Sequence, residues 1–239
     1  MTSELHKIYD DDTFLVSYPR SGNTWMRYLI AGIKYPERIW NLGNINEAIP
    51  DMYEVNVENY SCPRIIKSHE PYQEKYPRVI YMYRDGRDVS VSYYHLHHTA
   101  YNYQQSFSEF LTEMLSGKVG FGSWQDHVDS WIFRNHKIPL LAIQYELLCK
   151  DTFGILKDVA AFLGLDVDDN VIVSAITNSS IEKQKEDIKK FSPHYVKGFR
   201  GGVKWGPGKW KEVFSDELLK LFWDKAGPEM EKLGYYIYT

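Results

Sequence analysis

The chain has 239 residues, enough for one well-packed domain and few for two, and its 44% hydrophobic and 25% charged residues match an ordinary soluble globular protein. A net charge of −4 argues against wholesale binding to nucleic acid or to an anionic membrane, so any anion site must be a local gathering of cations. The two cysteines, Cys62 and Cys149, lack metal-ligand spacing and are too few for a disulfide scaffold, which points to a reducing, cytoplasmic setting.

The N-terminal stretch MTSELHKIYDDD is acidic and polar, unlike a signal peptide. No apolar run approaches the ~20 residues that span a bilayer, so no stable membrane insertion is expected. The first apolar run, TFLVSY (13–18), reads as a buried strand that feeds PRSGNTW and a helix starting near Gly22. Three further strands are predicted at RIIKS (64–68), RVIYMY (78–83) and LLAIQY (140–145). Helices are predicted to begin near Gly86, Ser106, Ser123, Glu146, Asp168 and Ser215. Asp85-Gly-Arg-Asp88 reads as a capping box with Asp88 at its fourth position. EKQKEDIKK (182–190) reads as the solvated face of a helix, and 192–211, rich in glycine and cations, as a long loop. SDELLKLFWDKAGPEMEKLGY is a helical pattern expected to be interrupted near Gly227-Pro228. Strands alternating with helices predict an α/β fold: a single domain over 1–239, with a central, mostly parallel sheet flanked by helices.

A strand, a glycine turn and a helix start present several backbone N–H groups to one point, and the helix dipole adds positive charge there. Arg20 supplies a full charge, and Asn23 and Thr24 can donate from their side chains. The loop suits a phosphate or a sulfate; its shape alone also fits a plain strand-to-helix turn. Lys67 and His69 follow the second strand, Arg84 follows the third, and Ser92 lies two turns into the next helix. Ligands of open α/β sheets collect outside the carboxyl ends of the strands, so Arg20, Lys67, His69 and Arg84 are expected at one edge.

These segments resemble a known family. Tyr18-Pro19-Arg20-Ser21-Gly22-Asn23-Thr24-Trp25 resembles the 5′-phosphosulfate loop of the cytosolic-type sulfotransferases that use 3′-phosphoadenosine 5′-phosphosulfate (PAPS). YRDGRDVSVSYYHL (83–96) resembles their 3′-phosphate motif, and GSWQDHVDSWI (122–132), IQYELLCKD (143–151) and FRGGVKWGPGKWKEVFS (199–215) follow in the family's order. The resemblance covers nearly the whole chain. It implies a P-loop-like phosphosulfate loop, transfer of a sulfonate from PAPS to an acceptor hydroxyl or an amine, and release of 3′,5′-adenosine bisphosphate (PAP).

By the same resemblance His69 is the general base, suited by an ordinary pKa of ~6.5. Lys67 and Arg20 meet the charge that grows on the bridging oxygen. Thr24 and the backbone of Ser21, Gly22, Asn23 and Trp25 hold the 5′-phosphate, with Trp25 and Tyr145 against the adenine. Arg84 and Ser92 hold the 3′-phosphate, closed over by Arg200 and the backbone of Gly201 and Gly202. No metal is expected. The chain departs from the family at Arg20, where lysine is usual, at Asn23, where a hydroxyl residue is common, and at Gly201, where lysine is common.

Two other readings compete. A P-loop small-molecule kinase would want a lysine after the loop glycine and an acidic magnesium ligand. A non-catalytic nucleotide-binding module would not need a base beside Lys67. His95, His97 and His98 cluster without a carboxylate or cysteine beside them, and are not read as a metal site. Trp124 and Trp131 have the helical spacing of core residues. The acceptor, a small molecule, glycan or lipid, is expected among side chains of 35–60 and 93–122; the oligomeric state is left open.

Overall fold

A computed structural model describes residues 7–191 and 206–238. Four strands, β1 (Thr13–Ser17), β2 (Ile65–Ser68), β3 (Val79–Tyr83) and β4 (Leu140–Gln144), form a parallel sheet in the order β2-β1-β3-β4. Each lies within one residue of its predicted span. β1 is buried at all five positions, as a central parallel strand covered on both faces must be.

Among the described residues the α-helices are α1 (Asn23–Lys34), α2 (Gly86–Ala100), α3 (Phe107–Leu115), α4 (Trp124–Val128), α5 (Tyr145–Lys150), α6 (Thr152–Leu163), α7 (Asp169–Asn178), α8 (Ile181–Phe191) and α9 (Asp216–Lys232). The period-2 alternation of the strands sorts their side chains onto two faces. Leu15, Ile65, Ile80, Met82 and Ile143 pack with α1, α6 and α7. Phe14, Val16, Ile66, Val79 and Tyr81 pack with Tyr76 and Trp131 on the other face. A third cluster joins α2, α3, α4 and α9 around Trp124 and Phe222. Helix α1 crosses α7 closely because Gly32 has no side chain: a Cβ there would sit 2.8 Å from the Cβ of Ala175.

The predicted helix starts hold to within a residue, but four details differ. Helix α6, which the sequence reading omits, is capped by Asp151, whose carboxylate accepts from Gly154 N. Residues 85–88 do not form a capping box. Asp85 caps α2 by accepting from Arg87 N, while its own N–H donates to Glu146 Oε1 (3.1 Å), and Asp88 is engaged elsewhere. Helix α9 runs unbroken through Pro228, because Phe222, Ala226 and Met230, all fully buried, anchor it on both sides of the proline. Helix α8 is not wholly solvated, since Gln184 is buried and donates to Ser179 O. Of the predicted loop over 192–211, the described part is a turn followed by a short 3-10 helix, Lys209–Glu212.

Candidate active site

The carboxyl ends of all four strands meet one cavity of about 620 Å³. Arg20, Gly22, Asn23, Thr24, Trp25, Lys67, His69, Arg84, Ser92 and Tyr145 all line it. Arg200, Gly201 and Gly202 lie outside the described residues.

At the end of β1 the chain turns through two left-handed residues, Arg20 (φ 71°) and Gly22 (φ 97°). Gly22 is required twice over: its φ disfavours any side chain, and a Cβ would lie 2.6 Å from the Tyr145 ring. Helix α1 then starts with no side-chain cap and no acidic residue in its first turn. Its leading N–H groups and dipole are therefore left to whatever lies in the cavity. Ser21 Oγ is buried without a hydrogen-bond partner, and Thr24 is exposed to the cavity. Asn23 behaves otherwise than its side-chain chemistry suggested. Its Nδ2 donates to Leu15 O (3.3 Å) and Ser17 Oγ (3.2 Å), bracing the loop against β1 and leaving its backbone for an anion. Arg20 Nε donates to Ser92 Oγ at 2.9 Å, joining the first loop to α2.

At the end of β2, His69 Nδ1 lies 2.7 Å from Ser17 O. A carbonyl can only accept, so Nδ1 carries the proton and Nε2 keeps its lone pair. Burial pushes the His69 pKa well below 6.5, Lys67 adds to this, and the Ser17 bond opposes it. Lys67 is paired with Asp51 at 2.5 Å; burial lowers its pKa and Asp51 raises it.

At the end of β3, Arg84 donates to Gly206 O (3.0 Å) and Arg20 O (3.4 Å), with its guanidinium carbon 4.5 Å from the centre of the Tyr145 ring. Asp88 lies 3.5 Å from Arg84 and accepts from Gly208 N (2.7 Å) and Trp210 N (2.9 Å). At the end of β4, Tyr145 meets Trp25 edge-on, with ring centres 6.2 Å apart.

The sequence reading missed four residues of this site. Asp51 neutralises Lys67, and Asp88 ties Gly208 and Trp210 to Arg84. Buried Arg27 donates to Asn46 Oδ1 (2.7 Å) and Ile49 O (2.5 Å), holding the segment that carries Asp51. Tyr53 Oη accepts from His69 N at 2.8 Å. Only Arg27 had a local signal, one helical turn beyond Asn23 on the same face of α1. The cavity is also lined by Tyr53, Tyr93, His95, Thr99, Tyr101 and Phe121, within the stretches expected to meet an acceptor, with the Tyr53 and Phe121 rings beside His69. His97 packs against Tyr93 and Phe110 rather than joining His95 and His98 at one point.

The profile of the sulfotransferase domain family matches residues 10–234. Among curated proteins, the chain is similar to Sulfotransferase 1B1 of Mus musculus, 30% identical over an alignment of 203 positions that covers 74% of this chain and 66% of the relative. It is also similar to Sulfotransferase 2B1 of Homo sapiens, 31% identical over an alignment of 251 positions that covers 95% of this chain and 67% of the relative. The chain thus spans about two thirds of the length of these relatives. Among solved structures, mouse sulfotransferase SULT7A1 complexed with PAP superposes with a TM-score of 0.75 at 28% identity, covering 94% of this chain and 85% of that one. Retinol dehydratase in complex with androsterone and PAP shares the fold, with a TM-score of 0.72 at 22% identity over 95% of this chain and 82% of that one.

Proposed function

The chain belongs to the sulfotransferase family, whose donor is PAPS, and we propose that its own reaction is in-line transfer of the sulfonate to an acceptor hydroxyl, or an amine, with His69 as general base. One observation carries this reading: a single cavity joins an imidazole with a fixed Nδ1 proton to Arg20, Lys67, Arg84 and Ser92.

The residues present fit PAPS. Three cations line the one cavity: Arg20 bonded to Ser92, Arg84 bonded to the Arg20 carbonyl, and Lys67 paired with Asp51; a donor with two phosphates would draw on all three. Arg84, which lines the cavity, has a buried Nε without a hydrogen-bond partner, and the aromatic rings of Trp25 and Tyr145 line the cavity beside it. When bound, PAPS supplies an activated sulfonate and departs as PAP.

His69 Nε2 takes the acceptor proton, and burial keeps the ring neutral for that task. Lys67 and Arg20 supply charge where the leaving oxygen becomes negative, and Arg20's planar fork grips oxygens in pairs. Thr24 and the backbone of 21–25 hold the 5′-phosphate. Arg84 and Ser92 hold the 3′-phosphate, and the family resemblance assigns Arg200, Gly201 and Gly202, outside the described residues, to the same group. Trp25 and Tyr145 flank the adenine. No metal has a part in this scheme, since the protein's own cations neutralise the phosphates. The kinase reading fails on family membership and on the loop, where Asn23 follows the glycine in place of lysine.

The acceptor is a small molecule, a glycan or a lipid, bound among Tyr53, Tyr93, His95, Tyr101 and Phe121. The setting is cytoplasmic, a reading supported by Cys62 and Cys149, both exposed free thiols. Among the described residues no helix is long and apolar enough to cross a membrane.

Thermal shift with PAP, ATP–Mg and AMP tests the donor assignment. PAP at 100 times its Kd should add about 2.7 kcal/mol, or roughly 5–10 °C in Tm for a domain of this size. A larger shift with ATP–Mg would overturn it. Labelled PAPS incubated with a library of hydroxyl and amine acceptors then tests catalysis. His69→Ala should keep the PAP shift and abolish transfer; PAP binding with no transfer to any acceptor would leave a binding module.

A further inference from the structure

Helix α4 is only Trp124–Val128 and continues directly as a π turn over Asp129–Phe133. His127 in α4 and Trp131 in the π turn, four residues apart, both reach to the end of β2. Trp131 Nε1 donates to Glu70 O at 3.0 Å, and His127 Nε2 lies 3.1 Å from His69 O. Two consecutive carbonyls, at the base and just after it, therefore meet two side-chain N–H groups from one short element.

The tautomer of His127 is dictated by its neighbours. The His69 carbonyl can only accept, so Nε2 carries the proton, and Nδ1 accepts from the Tyr81 hydroxyl at 2.9 Å. Both side chains are fully enclosed: His127 is 1% exposed and Tyr81 0%. Burial lowers the His127 pKa to about 4 and raises that of Tyr81, so the ring stays neutral and the phenol stays a donor. Tyr81 stacks on the imidazole and Tyr18 meets it edge-on, with ring centres 5.7 and 5.4 Å away. His127 does not line the cavity, so it has no direct access to an acceptor. On the other side, the His69 N–H donates to Tyr53 Oη. The peptide groups on both sides of the His69 Cα are thus tethered, and the Ser17 carbonyl then fixes the ring.

We propose that His127 is a positioning residue for the general base: with Trp131 beside it, its Nε2–H holds the His69 carbonyl so that the imidazole keeps its Nδ1–H on Ser17 O and offers Nε2 to the cavity. The proposal rests on the reading of His69 as the base, but it acts through geometry alone.

Protein labelled with ¹⁵N-histidine and saturated with PAP, studied by long-range ¹H–¹⁵N correlation near neutral pH, tests it, with His69→Ala identifying the His69 signals. The wild type should show His69 as a single Nδ1–H tautomer. His127→Phe, which removes the donor, should turn that signal into the average of two tautomers while the Kd for PAP stays within about 2-fold. His127→Gln, which returns an N–H near the same place, should restore the single tautomer. An unchanged His69 signal in a His127→Phe protein that still binds PAP would overturn the proposal, and so would a His127→Gln protein that behaves like His127→Phe. If His127→Phe does not fold, Tyr81→Phe replaces it: loss of the bond to Nδ1 should free the His127 tautomer and broaden the His69 signal, and an unchanged spectrum would count against the proposal. Retained transfer in His69→Ala would instead remove the functional reading and leave the geometric result standing.

Discussion

His69 becomes a base through groups outside its own side chain. Burial and Lys67 push its pKa below 6.5, and the Ser17 carbonyl places the remaining proton on Nδ1. A general base works only when neutral, so kcat/KM should fall on the acid side through a pKa below ~6.5 and be level from there to neutrality. An acid limb centred above that value would remove His69 as the base. Asp51 offers a second test. Its carboxylate balances Lys67 in a buried pair, so Asp51→Asn should lower stability by about 3 kcal/mol in urea melts. The same change removes a fixed negative charge from the cavity, so PAP should bind more tightly, read by calorimetry; weaker binding would mean that Lys67 does not face the donor.

The elements that build the site are short and dominated by their ends. The loop from β1 to α1 works because Gly22 allows both a left-handed turn and the close approach of Tyr145. Gly22→Ala should destabilise the fold by about 1–2 kcal/mol through the left-handed backbone alone. It should weaken PAP binding more than 10-fold, about 1.4 kcal/mol, because the first turn of α1 must shift; full PAP affinity would show that the loop does not form the anion site. The strand ends and the glycine turn were legible in the sequence because they are local: alternation, a glycine and a helix start lie within a dozen residues. Asp88 was misread for the opposite reason. Spacing suggested a capping box, but its carboxylate serves Gly208 and Trp210, some 120 residues away in the chain, and the capping N–H of Asp85 is met by Glu146 instead.

For the molecule as a whole, the buried imidazoles link stability to pH. His127 titrates near 6.5 when unfolded and at about 4 when folded, so its contribution is complete above pH 6.5 and is lost as the pH falls towards 4. The loss from this group is about 3 kcal/mol, and His69 adds to it with the same sign. Asp85 and Glu146, whose carboxyl pKa values burial raises, work in the opposite direction over the acid range. Urea melts from neutral pH down to about 4 should show falling stability. The slope should be shallower in His127→Gln, and an equal slope in the two proteins would contradict the burial of a neutral His127.

By itself the sequence determined the order of strands and helices, the glycine turn that faces an anion, and the cations that follow three strand ends. These are properties of neighbouring residues: period, capping and backbone freedom act over one or two turns of chain. Only the tertiary structure decided which side chains reach the cavity and which are spent on holding it. Asn23 braces β1, Asp51 balances Lys67, Asp88 secures Gly208 and Trp210, and His127 meets the carbonyl of the base. A buried donor or acceptor must find a partner, and in a parallel sheet that partner comes from another strand or helix far along the chain, where no spacing rule can name it.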